Sequence, residues 1–304
     1  MTLKKYQSEI LLLITAMIWG FAFVAQSSSM EHIGPFLFNG IRFILGATSL
    51  IPVMIWFKRR HRQKATIDVH SFFDRTHIVG GLLMGIILFT AASLQQIGII
   101  YTSVANAGFI TSLYIILVPL IGLFIGQKTY INVWFGAILA LIGLYLLTVK
   151  GDLSIAYGDL LQLIGALFWA LHIIVISKFS PKADAIKLSI IQFYLCGFLS
   201  FSIGLVLENF DIESILRVLP EILYVGILST SVAYTLQVVA QKKVAPANAA
   251  IIFSLEAVFA LLGGWILLQE SLHMKGLIGC FLMFIGVLIS QKIVRSTPAS
   301  SVKQ

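Results

Sequence analysis

The chain alternates long apolar runs with short polar links. A helix needs roughly 20 apolar residues to cross the hydrocarbon of a membrane. Ten runs meet this requirement, at residues 10–27, 36–57, 78–100, 104–125, 132–149, 159–177, 188–207, 218–240, 246–268 and 274–293. Because lipid offers no hydrogen-bond partner to an open backbone, each run is predicted to be a helix. The pattern predicts an all-α integral membrane protein with ten transmembrane helices.

Composition supports the same fold class. Hydrophobic residues make up 59% of the chain and charged residues 11%, whereas about a quarter of a soluble domain is charged. The mean hydropathy is +0.97. The first run follows Lys4 and Lys5 as in a signal peptide, but it is longer than a signal-peptide core and nine runs follow, so we interpret it as a retained helix. Both cysteines lie inside apolar runs, so no disulfide framework, metal site or cofactor is expected.

The positions of the basic residues predict the orientation of the chain. With the N-terminus inside, the predicted inner segments hold 17 of the lysines and arginines, and the outer segments hold three, Lys150, Arg217 and Lys275. Cytoplasmic segments carry this excess. We expect a multi-pass protein of the cytoplasmic membrane with both termini in the cytoplasm. The net charge of +8 then reflects topology rather than nucleic-acid binding.

The second half of the chain repeats the first. The stretch SLQQIGIIYTSVANAGFITSL, residues 93–113, aligns without a gap on TLQVVAQKKVAPANAAIIFSL, residues 235–255. This alignment places Gln95 on Gln237 and Asn106 on Asn248. Upstream, AMIWGFAF aligns on ALFWALHI, which places Trp19 on Trp169. The chain therefore divides into residues 1–150 and 151–304, each with five helices, the second ending in a short cytoplasmic tail.

An odd number of crossings per half forces an inverted repeat. The second half must enter the membrane from the opposite side, so the halves are related by a pseudo-two-fold axis in the membrane plane. Transporters with this architecture expose a central site to each side in turn. Duplication retained only for packing, or for a passive channel, is the alternative.

Several short motifs carry a family resemblance. The AxxWG of the first helix, the RF of the second, the Q and AN around the third and fourth, and the LLQESL after the ninth occur in this order. Across essentially the whole chain the sequence resembles the EamA-type drug/metabolite transporter superfamily, as two EamA repeats. The resemblance implies a carrier for small metabolites, often amino acids or related compounds, that commonly works as an exporter. Uptake or exchange of a vitamin- or nucleoside-like metabolite is the alternative. The usual LGE here reads LQE, with Gln269 and Glu270.

Two charged residues lie inside predicted helices. A central charge costs about 2.5–3.5 kcal/mol on insertion scales and marks a pathway or an ion pair. Glu256 is a structural partner, a proton-coupling carboxylate or a substrate ligand. Arg42, which aligns on Gln192, binds a substrate carboxylate, extends to the outer surface, or fixes neighbouring carbonyls. Asn39 lies one turn from Arg42 on the same helix face.

Matching polar stripes are predicted in the fourth and ninth helices by their spacing of four residues. They are Asn106, Ile110 and Tyr114 in the fourth helix and Asn248, Ile252 and Glu256 in the ninth. Tyr114 and Glu256 then occupy equivalent positions. The spacing predicts a cavity with one phenol and one acid, or a tyrosine that only packs between helices.

Further polar and aromatic residues complete the predicted pathway. They are Gln95, Gln237, Trp19, Trp169, His172 and Tyr234. The glutamines either line the cavity or join helices by hydrogen bonds, and the tryptophans either wall the cavity or fill space. His172 is a structural hydrogen-bonding residue or a proton relay.

Two packing features are predicted as well. Gly136 and Gly143 in the fifth helix align on Gly279 and Gly286 in the tenth, so these helices are expected to form a close seam. Pro119 can bend the fourth helix, and the aligned position in the ninth is not a proline.

Motifs of other function classes do not occur in the sequence. The P-loop pattern GxxxxGK[ST] is absent, so an ion or substrate gradient would supply the energy, and a proton is one candidate. The esterase pattern GxSxG and the metalloprotease pattern HExxH are also absent, so no enzymatic activity is expected. The expected partners are a small-molecule substrate and the lipid bilayer, and a monomer suffices.

Cysteine labelling tests the predicted orientation. In a chain carrying Cys196→Ser and Cys280→Ser, the substitutions Lys58→Cys and Lys178→Cys are each expected to react with a membrane-impermeant maleimide only from the cytoplasmic side. Arg217→Cys, in a predicted outer segment, is the control and should react in intact cells. Reaction at positions 58 and 178 from opposite sides would contradict the inverted arrangement.

Overall fold

The computed structural model describes residues 6–62, 74–148, 157–268 and 274–291, and within these ranges the secondary structure is helical with no strand. The helices of the first half are α1 Gln7–Ser29, α2 Pro35–Arg62, α3 Arg75–Ile100, α4 Val104–Thr111, α5 Tyr114–Phe124 and α6 Ile131–Thr148. The helices of the second half are α7 Tyr157–Phe179, α8 Ala185–Leu207, α9 Ile212–Arg217, α10 Leu219–Leu223, α11 Thr235–Ala240, α12 Pro246–Phe253, α13 Glu256–Leu268 and α14 Met274–Gln291. A π-helix, Tyr224–Tyr234, joins α10 to α11. The predicted features at Lys150 and at Gln269 and Glu270 lie outside the described residues.

The helices are apolar enough for a multi-pass membrane protein. Within the described residues, 8 helical segments have the length and hydropathy of a membrane span, and two shorter apolar helices, Ile131–Leu146 and Met274–Ser290, accompany them. Large apolar side chains cover the outside of the bundle, such as Ile86 in α3, Phe135 in α6 and Phe281 in α14. Exposure of this kind suits contact with lipid rather than with water.

The fourth and ninth predicted helices each form one apolar segment of membrane-spanning length, Asn106–Phe124 and Pro246–Leu267, but each is interrupted within this length, which was not predicted. The first interruption separates α4 from α5 at residues 112–113, and the second separates α12 from α13 at residues 254–255. These are aligned positions of the two halves. Pro119 lies inside α5, so the interruption comes before this proline and not at it. The interruption is also present in the second half, which has no proline at the position aligned with Pro119.

The two interruptions also share one hydrogen-bond pattern. The backbone N–H groups of Leu113 and Leu255 donate to the carbonyls of Ile110 and Ile252, three residues back rather than four. The residues two positions further on repeat this pattern, with donation from Ile115 to Ser112 and from Ala257 to Ser254. Tightened turns of this kind keep the N–H groups bonded where a regular helix stops. Each half thus carries the same local structure at mid-helix.

The π-helix is a difference between the halves. It spans 11 residues, Tyr224–Tyr234, whereas the aligned part of the first half lies within the regular helix α3. Wider turns of this kind are rare and frequent at functional sites. Hydrophobic periodicity does not distinguish a π-helix from an α-helix, so this element was not predicted.

The predicted glycine seam between α6 and α14 is confirmed. A Cβ atom on Gly136 would lie 2.6 Å from the carbonyl oxygen of Gly286, and a Cβ atom on Gly143 would lie 2.5 Å from that of Gly279. The two backbones are therefore in direct contact, which only glycine allows. No described residue of either helix lines the central cavity of the bundle.

The helices α2 and α8 are joined at their ends by a carboxylate. Glu208, directly after α8, accepts hydrogen bonds at 2.8 Å from the backbone N–H groups of Phe36 and Leu37 in the first turn of α2. The residue before α2 is Gly34, which has no side chain to cap the helix. A carboxylate at a helix N-terminus satisfies open N–H groups and complements the helix dipole. Glu208 thus ties the two halves together at this end of the bundle.

Substitution in the glycine seam tests the close approach of α6 and α14. Gly143→Ala is expected to lower the melting temperature of the detergent-solubilised protein, because the new methyl group meets the Gly279 carbonyl and overpacking costs about 1–3 kcal/mol. Gly165→Ala is the matched control, since its Cβ has no neighbour nearer than 3.6 Å. Equal melting temperatures for the two variants would show that the seam is looser than described.

Candidate functional site

A cavity lies in the middle of the bundle, next to both helix interruptions. The space between its walls, including the part that opens to solvent, totals about 460 Å³. The lining side chains come from both halves of the chain: Trp19, Phe23, Gln26, Arg42, Gln95, Thr111, Tyr114, Trp169, Ile173, Ser229, Tyr234, Gln237, Phe253 and Glu256. Six aromatic side chains make up most of the apolar wall, and seven of the described lining side chains are polar or charged. Apolar walls with polar groups among them are usual in small-molecule sites.

Tyr114 and Glu256 meet in this cavity. The Tyr114 hydroxyl donates to Glu256 Oε1 at 2.7 Å, and the Ser112 hydroxyl lies 3.5 Å from the same oxygen. Both partners are buried, and each is the first residue of its helix after an interruption. The hydrogen bond therefore joins aligned positions of the two halves, α5 to α13. The second carboxylate oxygen of Glu256 accepts no hydrogen bond from a described residue.

Arg42 is fully enclosed by the bundle. Its side chain is 2% exposed, so it does not extend to the outer surface. Its Nε donates to Asn39 Oδ1 at 2.8 Å, and Asn39 in turn donates to the Ala92 carbonyl at 3.2 Å. The guanidinium carbon lies 4.4 Å from the centre of the Phe43 ring. Among the described residues, no carboxylate lies within ion-pair distance of Arg42, and its terminal nitrogens have no hydrogen-bond partner.

The aligned position in the second half is paired instead. Gln192 Oε1 lies 2.9 Å from His172 Nε2, and both side chains are buried. The alignment that places Trp19 on Trp169 places Ala22 on His172. The first half therefore has a methyl group where the second half has an imidazole, which explains why Arg42 lacks the partner that Gln192 has. His172 itself lies behind the cavity wall, against the Trp169 ring.

The aligned glutamines Gln95 and Gln237 also differ in their hydrogen bonding. Gln95 donates to the Thr111 hydroxyl at 3.4 Å, and Gln162 joins the group through Thr111 Oγ1 and the Gln95 carbonyl. These bonds connect α3, α4 and α7. Gln237 lines the cavity with its buried Oε1 lacking a partner among the described residues. The alignment places Phe253 where Gln95 finds Thr111, so no hydroxyl is available to Gln237 at that position.

The aromatic residues of the cavity form one cluster around Tyr234. Its ring lies 4.7 Å from Trp19 and 6.1 Å from Trp169, centre to centre, and the second pair is nearly parallel at 24°. Trp19 Nε1 donates to the Ser229 carbonyl at 3.3 Å in the π-helix. Trp169 Nε1 is buried without a partner among the described residues. The predicted tryptophan pair thus does form a wall of the cavity.

The structure brings together most of the predicted pathway residues and leaves some outside. Asn39 and His172 lie behind the wall, in contact with Arg42 and Gln192. Asn248 donates to the Ser290 carbonyl of α14 at 3.1 Å, and Asn106 is exposed in the first turn of α4. The two predicted polar stripes are not continuous, because each crosses a helix interruption.

Some lining residues were missed by sequence reasoning. Gln26, Thr111 and Ser229 contribute polar atoms to the cavity, and Phe23 and Ile173 contribute apolar surface. Gln26 offered a signal, since it is an amide two turns after Trp19 in an apolar helix. Ser229 did not, because small hydroxyl residues are common in membrane helices as backbone hydrogen-bonding groups.

Comparison with known proteins gives consistent matches over the whole chain. The sequence pattern of the EamA-like transporter family matches residues 7–149 and again residues 156–291. A protein of Archaeoglobus fulgidus named as an uncharacterized transporter is 29% identical over 291 residues, covering 94% of this chain and 86% of that protein. The uncharacterized transporter YoaV of Bacillus subtilis is 22% identical over 285 residues, covering 90% of this chain and 93% of that protein.

A solved structure shares the fold. A protein of known crystal structure superposes with a TM-score of 0.75 at 16% sequence identity, covering 94% of this chain and 96% of that chain. At this identity the likeness concerns the arrangement of the helices alone.

A double-mutant cycle tests the bond between the halves. Tyr114→Phe and Glu256→Gln are each expected to destabilise the detergent-solubilised protein, and their effects are expected to be non-additive by about 1 kcal/mol, because the first removes and the second weakens the same buried hydrogen bond. Tyr224→Phe is the control, since the Tyr224 hydroxyl donates to the Ile18 carbonyl and not to Glu256. Its effect should add to that of Glu256→Gln. Additive effects for Tyr114→Phe would mean that the two side chains are not coupled.

Proposed function

The chain belongs to the EamA-like transporter family, and from this premise we propose that it is a secondary transporter that exports small metabolites such as amino acids or related compounds. Transport proceeds by alternating access around the central cavity. The protein crosses the cytoplasmic membrane ten times, as two inverted halves of five helices, with both termini in the cytoplasm. No cofactor or catalytic step enters this mechanism.

The distribution of charge and the duplicated sequence support the inverted arrangement. Basic residues concentrate in the segments that this topology places inside, in agreement with the positive-inside rule. The family pattern matches each half of the chain separately. In this topology the two shorter helices, α6 and α14, are the remaining two of the ten membrane spans, and their apolar outer faces suit contact with lipid.

The observation that carries the mechanism is the pair of helix interruptions at aligned positions. Interrupted helices near mid-membrane mark the binding sites of many secondary transporters, because they let irregular backbone line a cavity. Here the first interruption places the hydroxyl donor Tyr114 at the start of the following helix, and the second places the carboxylate acceptor Glu256 there. A change in the direction of α5 relative to α13 would break the hydrogen bond between these residues. The bond therefore couples the cavity to the relative position of the two halves.

Transport by the purified protein in proteoliposomes tests this function. Candidate substrates are taken from an untargeted comparison of metabolites between cells that lack and cells that overproduce the protein. Flux of an active metabolite is expected to saturate and to be accelerated by the same metabolite on the opposite side, because a carrier reorients with each molecule. Glu256→Gln is expected to lower the rate by roughly tenfold, the value of a buried hydrogen bond to a charged group.

An exposed carboxylate provides the matched control for Glu256. Among the described residues the exposed side chain of Glu213 pairs with Arg217 alone, on the same helix, so the transport rate of Glu213→Gln should equal that of the unmodified protein. A flux that rises linearly with concentration would identify a channel. Background flux for every candidate, with and without a pH gradient, would refute the proposal.

A further inference from the structure

Aligned positions of the two halves differ systematically in their hydrogen bonding. Gln192 is paired with His172, whereas Arg42 keeps its terminal nitrogens unpaired among the described residues. Trp19 donates to a backbone carbonyl, whereas Trp169 has no such acceptor in the described part of the chain. Arg42 and Trp169 line the cavity, whereas Gln192, whose Nε2 also has no partner among the described residues, does not. Duplication alone would have produced equal pairing, so the difference between Arg42 and Gln192 arose by divergence of the two halves.

The guanidinium of Arg42 has the highest free-energy cost of burial among these groups. A charged side chain within the membrane is normally paired, because lipid cannot solvate it. Arg42 has no acidic partner among the described residues, although Glu256 lines the same cavity. Its position is nevertheless fixed, since Asn39 holds Nε and the Phe43 ring lies beneath the guanidinium. A fixed guanidinium with two free terminal nitrogens is arranged to bind a planar anion.

We propose that Arg42 binds the carboxylate of the transported metabolite, and that the substrates of this cavity are organic carboxylates with a flat apolar body. The assignment of the ligand as a transported metabolite rests on the proposed function, whereas the binding site itself does not.

The composition of the cavity favours a carboxylate over a phosphate. Arg42 is the sole basic side chain among the lining residues that the structure describes, and Glu256 is acidic. A dianion would add two negative charges to a cavity that already holds one acid and only one guanidinium, whereas a single carboxylate adds one and is matched by the guanidinium. The planar fork of the guanidinium fits the two carboxylate oxygens.

The apolar walls favour a flat body on the ligand. Trp19, Trp169, Tyr234 and Phe253 present ring faces or edges to the cavity, and Trp169 and Tyr234 are nearly parallel. Aromatic rings stabilise one another by offset or edge contacts beyond the area that they bury.

Calorimetric titration of the detergent-solubilised protein tests the site. The probes are 3-phenylpropionate and its uncharged analogue 3-phenylpropionamide, which differ only in the group that Arg42 would bind. The acid is expected to bind at least about tenfold more tightly than the amide, the ratio that a charged hydrogen-bonded contact provides. In Arg42→Gln this preference is expected to disappear, while Arg217→Gln, an exposed outer residue, should retain it.

A second variant covers the case that Arg42→Gln does not fold. Asn39→Asp replaces the group that accepts from Nε with a carboxylate of nearly equal size, so that Arg42 remains but acquires an internal ion pair. The preference for the acid is expected to fall by about tenfold in this variant as well. Equal affinity for acid and amide in the unmodified protein, or an undiminished preference in either Arg42→Gln or Asn39→Asp, would overturn the proposal.

A transport measurement separates this proposal from the proposed function. If 3-phenylpropionate binds in the predicted Arg42-dependent manner but is not moved across proteoliposomes, and no other carboxylate is moved, the site stands and the transport assignment fails. If metabolites without a carboxylate are moved at rates that Arg42→Gln leaves unchanged, the transport function stands and the carboxylate site is refuted.

Discussion

The exclusion of water from the hydrocarbon determines what this bundle can contain. Each polar group that would face lipid must bond to the protein instead, because an unsatisfied group in lipid costs several kcal/mol. The interruptions after α4 and α12 meet this condition through tightened turns, in which Leu113 and Leu255 donate three residues back. The Tyr114–Glu256 bond meets it for the side chains that follow. Irregular backbone is thus placed next to the cavity, where the protein itself supplies the partners.

The two halves illustrate how duplication followed by divergence produces an asymmetric site. Trp19 and Trp169 are the same residue type but differ in hydrogen bonding. Arg42 and Gln192 differ both in residue type and in hydrogen bonding. Divergence also acts through neighbouring residues. Ala22 stands where the second half has His172, and Phe253 stands where the first half has Thr111, so each half lacks one hydrogen-bond partner that the other has. The π-helix, which has no counterpart in α3, supplies the carbonyl that accepts from Trp19. A symmetric framework therefore encloses a cavity with one cation, one acid and a mainly aromatic wall among its described residues.

Most of the framework could be predicted from the sequence, because burial in lipid imposes a strong pattern. Long apolar runs located the helices, and aligned glycines at a spacing of seven located the seam between α6 and α14. The alignment of Tyr114 with Glu256 indicated a shared cavity, but not that the two residues bond directly. The interruptions escaped prediction because the apolar runs continue past Ser112 and Ser254 without a proline or glycine at the break, and the charged residue Glu256 aligns only with Tyr114 in the first half. Asn106 fell outside the cavity for the same reason, since the predicted stripe assumed an unbroken helix.

The distribution of close packing separates the parts of the bundle that stay together from those that can shift. Backbone contact through Gly136 and Gly143 leaves α6 and α14 no room to slide, because any change of register would drive side chains into the seam. Glu208 likewise fixes the end of α2 to that of α8. The short helices α5 and α13 are instead joined at the cavity by a hydrogen bond between side chains. Breaking one hydrogen bond costs far less free energy than separating a glycine seam. A substrate that competes for Glu256 or Tyr114 would therefore act on the contact between the halves that is easiest to change.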